Sequence, residues 1–205
     1  RPAEENQIEP RLRLQFKETE QAHLYLGLPG LERDHPDRFV LSLLSCILGE
    51  GMSSRLFSEV RERLGLAYSV GSSLLTLRDA GMVGVYAGVD SGRIAPAIEA
   101  ILGECEKLKR EEVPAEELVK AKEFVKGRLA LQMEDTASVA AWFGQQELLS
   151  AEVLTMDEAF QAVDAVTTTD IQRIAGEILR EEKLNLAVVG PFREEGDLGK
   201  LLRLW

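Results

Sequence analysis

The sequence predicts an α+β fold, in which a mostly antiparallel mixed sheet is covered on one face by helices. Strand-like segments come in two pairs, a long helical region follows, and a last apolar strand then has to return to the sheet. This grouping differs from the regular strand–helix alternation that builds a parallel sheet. The 205 residues suffice for one domain with a substantial core, and we expect residues 1–205 to form a single domain.

Five segments have the patterning of strands. The first two alternate apolar and polar residues, and the next two are separated by a short "RD" that predicts a hairpin. The last is a short apolar run that is typical of a buried strand. In order, they are Arg11–Lys17, Glu20–Gly30, Leu66–Leu77, Ala80–Asp90 and Asn185–Gly190.

Most of the remaining sequence has helical periodicity with recognisable starts. Acidic residues follow a proline near a first turn, and two S/T-x-x-D/E patterns predict capping boxes. The predicted helices are Pro36–Leu48, one capped by Ser53 or Ser54, Ile94–Arg110, one from Pro114, one capped by Asp135 that ends at Leu149, and two that begin at Thr155-x-x-Glu158 and Thr167-x-x-Asp170. Gly127 and Gly144 interrupt helical patterns, and we expect close helix packing at both.

Composition excludes some classes of partner. The net charge of −11 argues against nucleic acid, which needs clustered Lys and Arg. The longest apolar run, Phe39–Leu48, is too short to span a membrane. An acidic surface could steer basic peptides, although solubility alone also explains it. The polar opening "RPAEENQIEP" is not a signal peptide and favours a domain excised from a longer chain.

Internal catalytic machinery is not evident. His23 and His35 are twelve positions apart, so they lack the spacing of zinc ligands. Cys46 and Cys105 fall on apolar helix faces and predict reduced core thiols, hence a cytoplasmic location. Glutamates alternate with lysines along predicted helices, as on a solvated face. We therefore expect this domain alone to be inactive and to bind no metal or cofactor.

One stretch raises a more specific possibility. In "RLFSEVRERLGLAYSV", residues 55–70, Gly65 is suited to the left-handed conformation that ends a helix. Leu66 would then fold back on Val60, so that the end of the helix lies beside the start of the next strand.

Arg61 and Tyr68 flank this reversal, and two interpretations remain open. Arg61 is favourable near the negative end of the helix dipole, and Tyr68 could simply pack its ring. Alternatively, the guanidinium and the phenol converge and offer hydrogen-bond donors to a peptide carbonyl or a developing oxyanion.

The segment "LGEGMSSRLFSEVRERLGLAYSV", residues 48–70, resembles the C-terminal-type domain of the insulinase/pitrilysin/mitochondrial processing peptidase family. The similarity extends from about Arg11 to Pro191. It implies that Arg61 and Tyr68 contact the substrate backbone near the scissile bond. It also implies that zinc is bound by a different domain, which carries H-x-x-E-H. That motif is absent from this sequence, which indicates the metal-free half.

The resemblance predicts a substrate-binding half of a zinc metalloendopeptidase. Its expected partners are a zinc-binding domain or subunit of the same family and a peptide substrate, with a homodimer possible for the isolated domain. The alternative is a non-catalytic core or scaffold subunit with the same fold. An extended peptide could also pair with a sheet edge, in either domain.

Overall fold

The computed structural model describes residues 6–194 and 196–204. Its five strands form one mixed sheet in the spatial order β1-β5-β2-β4-β3. β1 pairs parallel with β5, and the other three pairings are antiparallel. The strands are β1 (Arg11–Phe16), β2 (Gln21–Gly30), β3 (Ala67–Thr76), β4 (Gly81–Asp90) and β5 (Asn185–Gly190). The predicted α+β fold class with its mostly antiparallel sheet is confirmed.

The helices pack on one face of this sheet. Leucines and valines that alternate along the strands are buried on that face, whereas His23, Tyr86 and Val189 on the other face are exposed. The core lies between the buried face and the helices α1, α2 and α6. The helices are α1 (Arg38–Gly49), α2 (Ile94–Arg110), α3 (Ala115–Gln132), α4 (Thr136–Leu149), α5 (Met156–Ala165) and α6 (Thr168–Ile178), with a π-helix at Phe57–Arg63.

Three helices begin at the residues that the capping patterns predict. The side chains of Thr155 and Thr167 each accept the backbone N–H three residues later, and both capping boxes are complete. Asp135 caps α4 by accepting the backbone N–H of Ser138 at 2.8 Å. These polar residues satisfy N–H groups that the first helical turn leaves without partners.

Two local expectations are wrong. A Cβ added at Gly127 or Gly144 would meet nothing within 4 Å, so neither glycine serves close helix packing. The hydroxyl of Ser54 donates to the carbonyl of Gly51 at 2.8 Å instead of capping the following helix. That helix is wound as a π-helix over most of its length.

Helix α6 is tied to the start of α1 by an ion pair. The guanidinium of Arg173 donates to both carboxylate oxygens of Asp37, at 2.6 and 3.1 Å. Such two-pronged geometry is the strongest form of an arginine–carboxylate contact. No helix in the described part of the chain is both long enough and apolar enough to cross a membrane.

Candidate functional site

Arg61 and Tyr68 lie on either side of the reversal that joins the π-helix to β3. Both side chains are exposed, and Tyr68 retains 59% of its accessible surface. Neither is covered by the core, although their neighbours Val60 and Ala67 are buried. The structure therefore leaves both polar groups open to a molecule outside this chain.

The π-helix sets the direction of Arg61. Leu56 and Val60 are fully buried and hold the helix against the core, which leaves Arg61 on the outer side. The guanidinium of Arg61 lies 4.9 Å from the ring centroid of Phe57, a cation–π contact that limits its orientations without using its N–H donors. Short π-helical turns are frequent at functional sites, because they alter side-chain directions that α-helices fix.

Three contacts hold the reversal itself. Gly65 has φ +56°, in the left-handed region, and the backbone N–H of Leu66 donates to the carbonyl of Val60 at 2.8 Å. The guanidinium of Arg93 donates to the carbonyls of Leu64 and Gly65, at 3.2 and 3.0 Å. Arg93 thus satisfies carbonyl groups that the end of the helix leaves free.

A β-bulge presents Tyr68. The pairing of β3 with β4 goes from Ala67–Val89 to Ser69–Gly88, so Tyr68 is the extra residue on β3. Bulges redirect a side chain and often lie at sheet edges. β3 is such an edge, since β4 is its only neighbour in the described sheet.

This arrangement offers donors rather than a base or a nucleophile. Arg61 supplies guanidinium N–H groups, and Tyr68 supplies a phenolic O–H that can donate or accept. Such groups can hold a carbonyl oxygen or stabilise negative charge that develops on it. Sequence analysis predicted Arg61 and Tyr68 as candidate residues and did not predict the contact of Arg93, whose only signal was its place just after β4.

The histidines are in unrelated places. His23 is exposed on the open face of the sheet, and Nδ1 of His35 accepts the backbone N–H of Asp37 at 3.1 Å. Among the residues that the structure describes, no three His, Cys, Asp or Glu side chains are grouped to hold a metal ion.

The two cysteines are buried and free. Burial raises the pKa of each thiol to about 12, with a smaller contribution from nearby glutamates. A thiol with so high a pKa is almost wholly protonated at neutral pH and is a poor nucleophile. Cys46 and Cys105 are core residues, as their helix faces predicted.

Solved structures of other proteins share the fold of this chain. A crystal structure titled as the peptidase M16 inactive domain from Pseudomonas fluorescens superposes with a TM-score of 0.84 at 21% identity, over 94% of this chain and 46% of that one. The structure of a protease from Helicobacter pylori gives a TM-score of 0.83 at 27% identity, over 90% of this chain and 45% of that one.

The sequence comparisons identify the family. Residues 1–125 match the model described as the peptidase M16 inactive domain. An uncharacterised zinc protease of Bacillus subtilis is 39% identical over 85% of this chain and 42% of its own length. One from Streptomyces coelicolor is 35% identical over 90% of this chain and 40% of its own.

This chain belongs to the M16 peptidase family, as its inactive, C-terminal-type domain. The resemblance inferred from residues 48–70 is thereby confirmed. The chain spans less than half the length of the curated relatives it matches.

Proposed function

We propose that this chain is the substrate-binding, metal-free half of a zinc metalloendopeptidase. It helps to enclose a peptide and to orient it for hydrolysis by a separate H-x-x-E-H domain. The observation that carries the proposal is the exposure of Arg61 and Tyr68 on either side of the Gly65 reversal, at the spacing that the family resemblance implies. The zinc-protease names of the relatives and the inactive-domain description support it.

In this proposal the two halves divide the chemistry. The zinc ion expected in the partner domain supplies a Lewis acid and an activated water. Arg61 and Tyr68 donate hydrogen bonds to the peptide backbone and stabilise the charge that develops on a carbonyl oxygen. Because these donors already project from a helix end and a bulge that are hydrogen-bonded in place, little reorganisation accompanies binding.

The edge of β3 adds a second means of holding the peptide. An edge strand has backbone N–H and C=O groups without strand partners, and an extended peptide can pair with them. β3 starts at the bulge of Tyr68, so a peptide laid along this edge passes the proposed donors. We therefore propose that this half, and not the partner domain, provides the edge strand for peptide pairing, a choice that the sequence left open.

We also propose a partner domain, domain limits and a cellular location for this chain. We infer a zinc-binding M16 domain, in the same chain or in a separate subunit, as the partner. Residues 1–205 would form one domain, able to form a homodimer when isolated. The two free, buried thiols support a reducing compartment such as the cytoplasm.

The test is peptide cleavage by this chain combined with its zinc partner, each half alone serving as a control. Tyr68→Phe should lower kcat roughly 10- to 100-fold, because it removes one donor to the reacting carbonyl. Its melting temperature should match the parent, since the phenol is exposed. Tyr25→Phe is the matched control, because its hydroxyl contacts Ser73 within the sheet at 3.0 Å. An unchanged kcat for Tyr68→Phe would refute the proposed role.

A scaffold role is the second candidate. A chain of complex III2 from Candida albicans shares the fold, with a TM-score of 0.81 at 17% identity. At that identity the likeness concerns the fold alone. Stable assembly with an M16 partner and no cleavage of any peptide would favour this candidate over the peptidase half.

A further inference from the structure

The side chain of Arg93 joins two segments that are far apart in the sequence. Its guanidinium donates to the carbonyl oxygens of Leu64 and Gly65, at 3.2 and 3.0 Å, from a position 28 residues after Gly65. A planar guanidinium presents its donors as a rigid fork, which can bind two neighbouring carbonyl groups at once. The two hydrogen bonds therefore fix the place and the direction of the backbone at the reversal.

The backbone of Arg93 is itself held from both sides. Before it, the carboxylate of Asp90 accepts the backbone N–H of Gly92 at 2.8 Å and caps the short 3₁₀ turn Ser91–Arg93. After it, Ile94 is buried in the core at the start of α2. Because this segment is fixed at both ends, Arg93 attaches the reversal to a well-held part of the fold.

The two proposed substrate donors depend on the segment that Arg93 holds. Arg61 lies four residues before Gly65, and Tyr68 lies three residues after it. Both side chains are exposed, so burial in the core does not fix their positions relative to each other. The backbone between them must do so, and a shift of the reversal would move one donor relative to the other.

The positive charge of Arg93 also matters for this site. The carbonyl groups at the C-terminal end of a helix carry partial negative charge, which disfavours an anion nearby. Arg93 covers the carbonyls of Leu64 and Gly65 at that end, and it has no ion-pair partner among the described residues. A peptide carbonyl that gains negative charge beside this helix end is therefore less strongly repelled.

We propose that Arg93 is a positioning residue for the peptide-binding donors. It donates to the backbone of this chain and holds the reversal at Gly65, so that Arg61 and Tyr68 are directed at one peptide. The inference rests on the proposed function, which makes these two side chains the donors. It adds a third residue that acts through them without touching the peptide.

The first test measures turnover by this chain combined with its zinc partner. Arg93→Gln removes both the charge and the forked contact, whereas Arg93→Lys keeps the charge alone. We expect Arg93→Gln to lower kcat about five- to tenfold and to change KM less, with Arg93→Lys intermediate. Arg110→Gln is the matched control, because it removes an exposed charge from the other end of α2 and should leave kcat unchanged.

A double-mutant cycle shows whether Arg93 acts through Tyr68. The single variants Arg93→Gln and Tyr68→Phe are compared with the double variant. Once the phenol is absent, Arg93→Gln should lower kcat only about two- to threefold, because one of the groups that it positions has been removed. An equal effect of Arg93→Gln in both backgrounds would overturn the inference.

The second test needs no zinc partner. The backbone N–H of Leu66 reports on the reversal, since it donates to the carbonyl of Val60. Hydrogen exchange followed by NMR should show this amide exchanging about tenfold faster in Arg93→Gln than in the parent. The amide of Leu186, in β5, is the control, and its unchanged exchange excludes general destabilisation. Parent-like exchange at Leu66 would mean that the reversal is held without Arg93, and would overturn the inference.

These outcomes separate the role of Arg93 from the proposed function. If Tyr68→Phe slows turnover and Arg93→Gln does not, the role of Arg93 alone fails. Faster exchange at Leu66 with a parent-like kcat would show a purely structural contact, and the role of Arg93 would again fail alone. If Tyr68→Phe leaves kcat unchanged, the proposed function fails and this inference fails with it.

Discussion

The backbone N–H of Leu66 donates to the carbonyl oxygen of Val60 at 2.8 Å and closes the end of the π-helix against the start of β3. Between these residues the chain passes through Gly65, whose φ of +56° is in the left-handed region. A Cβ added at Gly65 would meet no atom within 4 Å. The requirement for glycine is therefore one of backbone conformation and not of space.

Gly65→Ala should lower the free energy of unfolding by about 1 kcal/mol, because an L-residue is strained in the left-handed region. Gly65→Asn should lower the free energy of unfolding by less than Gly65→Ala does, since asparagine tolerates the left-handed region better than alanine. Urea unfolding of the parent and the two variants measures these differences, provided that the dependence of the free energy of unfolding on urea concentration is the same for all three. An alanine variant as stable as the parent, or an asparagine variant less stable than alanine, would contradict this account of the reversal.

The strands and helix starts were predictable because their signals are local. Alternation in β2 follows directly from burial of one sheet face, and Thr155 and Thr167 satisfy N–H groups three residues away. Gly65 is a local signal as well, because this residue itself takes up the left-handed conformation at the turn. These features depend on interactions short enough to be visible in the amino-acid order.

The features that sequence reasoning missed depend on distant contacts. The bulge at Tyr68 is defined by its register against β4, and Arg93 reaches back to a helix end 28 positions earlier. A cavity of about 760 Å³ beside β3 is lined by residues of β3, β4, α1, α3 and α4. Neither spacing nor periodicity encodes such relationships, because each requires the folded positions of separate segments.

The glycines of α3 and α4 give a second prediction. Gly144 is inside α4, with no atom within 4 Å of an added Cβ and with no positive φ. Gly144→Ala should therefore raise the free energy of unfolding by about 0.5–1 kcal/mol, because alanine favours helices more than glycine does. The readout is the unfolding midpoint in urea, and an unchanged or lower midpoint would argue against an open site at Gly144.

Gly84 provides the matched contrast for that experiment. An added Cβ there would lie 1.9 Å from the hydroxyl oxygen of Tyr25, so the ring would have to move. Gly84→Ala should be destabilising, by about 1–3 kcal/mol, as expected for overpacking. Opposite signs for the two glycine-to-alanine changes would show that local space, and not glycine content, decides the effect.

The ion pair between Asp37 and Arg173 makes the stability depend on pH. Hydrogen bonding to Arg173 is the main cause that holds the pKa of Asp37 below its ordinary value, and it outweighs the opposing effect of partial burial. A carboxyl with a lowered pKa in the folded state stabilises the fold above its unfolded pKa of about 4. That contribution is lost as the pH falls through the lower, folded pKa.

Asp37→Asn should therefore reduce the free energy of unfolding at pH 7 by about 0.5–1 kcal/mol, a value kept modest by solvent screening of the partly exposed Arg173. Between pH 5 and pH 3 the variant should lose less stability than the parent, because it has one carboxylate fewer to protonate. Urea unfolding at several pH values measures both effects. Asp197→Asn removes the carboxylate of the exposed pair with Lys200. It should change the pH dependence of the free energy of unfolding less than Asp37→Asn does. Equal slopes for the parent and Asp37→Asn would mean that this ion pair does not couple helices α1 and α6.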